Sequence, residues 1–211
     1  MQRLQEHLDA VKEKHPQWVG IFLQGSQNYN LDYEGSDVDS KLIVLPCFEE
    51  FVLNRKPTSY THIMENEEHV DVKDIRLMFD CFRKQNINFV EILFTKYCIL
   101  NPQYQALYQP VLDAAELIGR YNDFASLNCM CGTALEKRKA LCHPYPATAA
   151  KIEKFGYDPK QLHHILRLDE FMRRWLNGVP YADCLISQER EYLKRVKAGA
   201  ISLDAAVEIA D

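Results

Sequence analysis

Nowhere in the chain do apolar residues run on for the roughly 18 or more positions that a membrane-crossing helix needs, so no membrane partner is expected. Internal repeats and low-complexity tracts are also lacking, which excludes solenoid and linker-like architectures. The opening stretch Met1-Gln2-Arg3-Leu4-Gln5-Glu6 is charged and amphipathic, without the apolar core of a signal peptide. The seven cysteines are odd in number and scattered, so a reducing cytoplasm with free thiols is the expected setting. An excess of positive charge is missing too. The formal net charge of −5 argues against a nucleic-acid binder that uses its whole surface.

What is present is enough apolar material for a sizeable core. With 211 residues, 47% of them hydrophobic, the chain can fill one large or two small domains. Its charge is unevenly spread: residues 1–119 carry 11 basic and 18 acidic side chains, net −7, and residues 120–179 carry 10 and 6, net +4. Residues 180–211 return to −2. A basic block of this kind can face phosphates or be an ordinary solvated helix face.

The periodicity changes along the chain. Leu4, Leu8 and Val11 recur at helical spacing, and the short apolar run from Trp18 to Leu23 reads as a buried strand. Tyr33-Glu34-Gly35-Ser36 predicts a turn, Asp37 to Leu45 a second strand closed by Pro46, and Phe48 to Leu53 a short helix. Thr58–Met64 and Glu68–Lys73 read as a hairpin turned at Glu65-Asn66-Glu67, and Asp74 as the cap of the next helix. Phe89–Phe94 fits helix or strand. From about Pro102 onward helical periodicity takes over. The expected fold class is α/β (α+β): a small mixed sheet with flanking helices over residues 1–100, then a helical region over residues 101–211.

One stretch carries chemistry. Gly25-Ser26 follows the first strand, where Gly lets the backbone turn and Ser offers an amide and a hydroxyl to a phosphate. Ten residues on, Asp37-Val38-Asp39 opens the second strand; if both aspartates are extended, they point to one side. Two hard oxygen ligands beside a phosphate cradle are what a Mg²⁺–triphosphate site requires. In-line phosphoryl displacement with two metals wants a third carboxylate. Asp71, between Val70 and Val72, is the best candidate, ahead of Asp74 as a helix cap and Glu68 as a solvated side chain.

Gly25-Ser26…Ser36-Asp37-Val38-Asp39 resembles the signature of the polymerase-β-like nucleotidyltransferase superfamily. Within it, the chain looks most like a bacterial and phage family of nucleotidyltransferases linked to RNA repair. Phe89-Val90-Glu91-Ile92-Leu93-Phe94 resembles that family's segment ending in Glu-x-Leu-Phe. Lys154-Phe155-Gly156-Tyr157-Asp158-Pro159-Lys160, continuing to His164 and Arg167, resembles its second signature. The resemblance spans roughly Gly25 to Leu168. It implies that Gly25 and Ser26 hold the triphosphate of an NTP such as ATP, and that Asp37, Asp39 and Asp71 bind two Mg²⁺ ions, with Mn²⁺ as an alternative. It further implies transfer of a nucleoside monophosphate to a hydroxyl acceptor, of which an RNA 3′ end is one class. Asn28-Tyr29-Asn30 departs from the family's loop after Gly-Ser, which bears on nucleotide preference.

Read without the family, Asp158 and Pro159 open a helix in which Lys160, His164 and Arg167 fall on one face. That face is either a grip for the β/γ-phosphates, adding to the nucleotide site, or a solvated basic face paired with Asp169 and Glu170. Three weaker signals remain. Cys129-x-Cys131 with Cys142-His143 is spaced too tightly for the usual zinc motif. Arg138 and His143 have the Arg-x4-His form of small helical ribonucleases, and Tyr121, Tyr145 and Tyr157 are candidates for base stacking. The expected activity is metal-dependent nucleotidyl transfer, with a catalytically silent nucleotide-binding module and, further off, a ribonuclease as the alternatives. The oligomeric state is left open.

Overall fold

A computed structural model describes residues 1–33 and 35–211; Glu34, in the expected turn, lies outside the described residues. The order of elements is α1 (Gln2–Val11), β1 (Trp18–Gln24), β2 (Asp39–Val44), α2 (Phe48–Val52), β3 (Ser59–Ile63), β4 (His69–Asp74), α3 (Ile75–Arg83), α4 (Ile87–Val90) and β5 (Cys98–Leu100). There follow α5 (Gln105–Asp113), α6 (Ala115–Gly119), α7 (Asp123–Ala140), α8 (Ala149–Phe155), α9 (Pro159–Leu176), α10 (Tyr181–Leu185), α11 (Arg190–Lys197) and α12 (Leu203–Ala210). The fold class is mixed α/β, as the pattern of residues predicts. Phe89–Phe94 resolves as helix, the end of α4 followed by a 3₁₀ turn at Glu91–Leu93.

Among the described residues the sheet has five strands in the order β3-β4-β2-β1-β5. β2 and β4 run parallel, and every other neighbouring pair is antiparallel. Alternation sorts the side chains of β2 and β4 onto two faces. Leu42, Val44, Val70 and Val72 join Leu4, Leu8 and Val11 of α1 in one core cluster. The opposite face carries Asp39 and Lys41 of β2, beside His69 and Asp71 of β4.

Two compact units divide the chain, Met1–Asp123 and Phe124–Asp211. The expected change of character lay near residue 100. Residues 101–123 belong with the sheet because Tyr108 donates to Met78 Sδ (3.3 Å) and Gln85 Nε2 donates to Ile118 O (2.8 Å). In the second unit α9 is capped by Asp158, whose carboxylate accepts the Lys160 amide, with Pro159 in the first turn. Its buried face meets Leu141, Tyr157, Val196 and Ala206 around Leu162. Tyr157 is wholly buried and donates to Ile201 O at 2.9 Å, which makes it a packing residue. Tyr121 and Tyr145 remain exposed. No helix among the described residues is long and apolar enough to cross a membrane.

Candidate functional site

The turn after β1 depends on glycine. Gly25 has φ +88° and ψ −150°, a conformation that side chains with a Cβ rarely adopt, although nothing stands within 4 Å of where a Cβ would sit. Ser26–Tyr29 then forms a 3₁₀ turn. Buried Asn28 anchors it, donating to Leu23 O (2.9 Å) and accepting from Thr95 Oγ1 (2.7 Å). Among the described residues no hydrogen bond takes up the Ser26 amide or hydroxyl. Gly25→Ala therefore introduces backbone strain alone. It is expected to cost about 1–3 kcal/mol in urea unfolding, against almost nothing for Ser26→Ala.

Gln24, the last residue of β1, pairs directly with Asp39, the first of β2. The Gly25-Ser26 turn thus leaves the sheet beside Asp39. The strand begins at Asp39, so Asp37 precedes it and is exposed; the expectation that both aspartates lie extended on one strand is corrected. The reason is a contact from far along the chain. Glu68, read from sequence as solvated, is 2% exposed and accepts from the Val38 amide, so the residue between the aspartates bonds to a side chain instead of a ladder partner.

The parallel register pairs Lys41 with Asp71, which puts His69 opposite Asp39. The Asp39 carboxylate and His69 Nδ1 are 3.4 Å apart, and Asp71 accepts from Thr61 Oγ1 at 2.6 Å. Asp39 and Asp71 share a face as diagonal neighbours. Among the described residues, however, no three His, Cys, Asp or Glu side chains are gathered as a metal-binding group. The hard carboxylate oxygens suit Mg²⁺, but they are spread along the sheet and its approach, not closed around a point.

Lys41, absent from the sequence-based site, is the least expected member of this face. It is 2% exposed, donates to Asn88 O (2.7 Å) and lies 4.0 Å from the Phe89 ring centroid. Burial pulls its amine down to about 8, against the opposing pull of Asp71. An unfolded lysine keeps its proton to roughly pH 10.4, so between those values the unfolded chain binds more protons than the folded one. Stability should rise with pH across that window, by up to about 3 kcal/mol. Lys41→Met should flatten the rise, as followed by urea unfolding at pH 7 to 10.

In the second unit Lys160 is exposed, His164 is partly buried and Arg167 is 8% exposed. Burial, then Arg167 and more weakly His163, Lys137 and Lys160, hold His164 well below its usual value, so at neutral pH it enters the stripe uncharged. His163 is structural: its Nδ1 lies 3.1 Å from Leu193 O, and burial lowers it to about 4. Asp169 and Glu170 pair with Arg173 and Arg174, not with the stripe. Arg138 pairs with Asp211, and His143 packs edge-on against Tyr145. The seven cysteines are free thiols.

No family model matches the chain, and no curated protein matches it either. Sequence reasoning missed Lys41, His69, Thr61 and Asn28. The alternation His69-Val70-Asp71-Val72 signalled that His69 shares a face with Asp71, but its place opposite Asp39 depends on the parallel register.

Proposed function

We propose that the chain is a metal-dependent nucleotidyltransferase of the polymerase-β-like kind. The observation that carries the proposal is the Gln24–Asp39 pairing, which sets the Gly25-Ser26 turn beside a carboxylate at one end of the sheet. The Ser26 amide and hydroxyl bind an oxygen of the NTP triphosphate, and the Asn28 anchor holds the turn in shape. Asp37, Asp39 and Asp71 are the residues that would hold Mg²⁺, which when bound neutralises triphosphate charge. In the reaction, an acceptor oxygen bonds to the α-phosphorus, the α–β bridging bond breaks, and pyrophosphate leaves. The hydroxyl proton passes to a carboxylate, for which Asp71, fixed by Thr61, is the candidate. An RNA 3′ end as acceptor, and a cytoplasmic setting, complete the proposal on resemblance and composition.

One observation favours a second reading, a nucleotide-binding module without turnover: the missing three-residue metal group among the described residues. Incubation with labelled NTPs, Mg²⁺ and RNA separates the two. Transfer of label with release of pyrophosphate supports the enzyme. A rise in thermal midpoint with NTP, but without pyrophosphate, supports the module.

A further inference from the structure

Strand β3 is an edge of the sheet, hydrogen-bonded to β4 alone. Asp74 N donates to Thr58 O and Met64 N to Glu68 O. In an antiparallel ladder the bonded positions alternate, so Tyr60 and His62 face β4, and the N–H and C=O groups of Ser59, Thr61 and Ile63 point outward. Among the described residues nothing pairs with them. All three residues are exposed, Ile63 to 63%. Natural edge strands are commonly blunted by lysine, proline or a bulge. β3, Ser59-Tyr60-Thr61-His62-Ile63, has no lysine, arginine or proline, and its register with β4 is unbroken.

We propose that this edge is a homodimer interface, in which β3 pairs antiparallel with β3 of a second copy about a two-fold axis at Thr61. The geometry is self-complementary. Centring on Thr61 sets Ser59 against the partner copy's Ile63 and Thr61 against itself, so the three outward residues of each copy form about six ladder hydrogen bonds. The charges fit the same arrangement. Arg55-Lys56 lies before the strand and Glu65-Asn66-Glu67 after it, and all four charged residues are exposed. Antiparallel pairing sets the basic end of each copy against the acidic end of the other, whereas parallel pairing would set like against like. The charge pattern therefore selects a second copy in one orientation as the occupant.

Sedimentation equilibrium of the full chain tests this. The wild type should dimerise, and Thr61→Pro should leave it monomeric; position 61 donates outward, so proline there removes no bond to β4. Thr61→Pro also loses the contact to Asp71, so charge reversal supplies an independent arm. Arg55→Glu with Lys56→Glu should weaken dimerisation by about tenfold or more at low salt. Adding Glu65→Lys and Glu67→Lys to that variant should restore it. A wild type that stays monomeric at several hundred micromolar overturns the proposal, as does a dimer indifferent to both Thr61→Pro and the charge reversals.

Discussion

On the proposed function, Asp39→Asn is expected to lower nucleotidyl transfer by about a thousandfold or more, the scale on which losing a charged group that stabilises the transition state is felt. Asp39 is the carboxylate that stands beside the Gly25-Ser26 turn, because it opens β2 directly opposite Gln24. Asparagine keeps the shape and removes the charge. The side chain is 42% exposed, so stability should change by no more than about 0.5 kcal/mol, and a loss of label transfer can be read as chemistry. Asp37→Asn should act in the same direction. Asp71→Asn tests the proton-accepting role: a fall in kcat with little change in KM supports it. Equal transfer by the wild type and by the Asp37 and Asp39 variants would remove the enzymatic proposal.

The second large effect concerns stability. Glu68→Ala should cost about 3–5 kcal/mol in urea unfolding, the range for breaking a buried charged network by deleting one partner. Glu68 accepts from Arg3, the Val38 amide and Asn66 Nδ2 (2.9 Å), and lies 3.1 Å from His7 Nε2. His7 is 1% exposed, with its Nδ1 2.9 Å from Ser40 Oγ. Alanine leaves these groups facing a hole under the start of β2. Burial pushes the Glu68 carboxyl up, but the bonds from Val38, Asn66, His7 and Arg3 outweigh it and hold it below its usual value. The sign follows. The contribution is fully present above the unfolded carboxylate pKa of about 4.3 and is lost as pH falls through the lower folded value. Wild type should therefore lose stability on acidification below about pH 5 more steeply than Glu68→Ala, with a drop of equal size in both excluding Glu68 as the group responsible.

The two substitutions also separate what could be read in advance from what could not. Gly25-Ser26 announced itself because a glycine straight after a buried strand has few uses other than a turn with positive φ, and Gly25 has one. Asp74 and Asp158 announced themselves as caps, since a carboxylate before a helical run has an amide to accept, and both do so. Glu68 gave no such sign. A glutamate between a turn and a strand is ordinarily solvated, and its burial follows from α1 bringing Arg3 and His7 across the same sheet face. Lys41 was hidden for a similar reason: it follows Asp39-Ser40 in a run that could equally have ended in solvent, until Asn88 and Phe89 closed over it.

By itself the sequence determined the elements, the alternation of faces and the neighbours in chain order: a turn at Gly25, carboxylates at the approach to β2, a hairpin with Asp71 on its polar face, and a capped helix from Pro159. These follow from backbone sterics and from periodicity, which act within a few residues. Only the tertiary structure decided that β2 and β4 pair in parallel, with Lys41 against Asp71 and so His69 opposite Asp39, and that Glu68 reaches the Val38 amide and leaves Asp37 outside the strand. Register across non-consecutive strands and burial of a charge depend on residues far apart in the chain meeting in space, and no local pattern records that meeting.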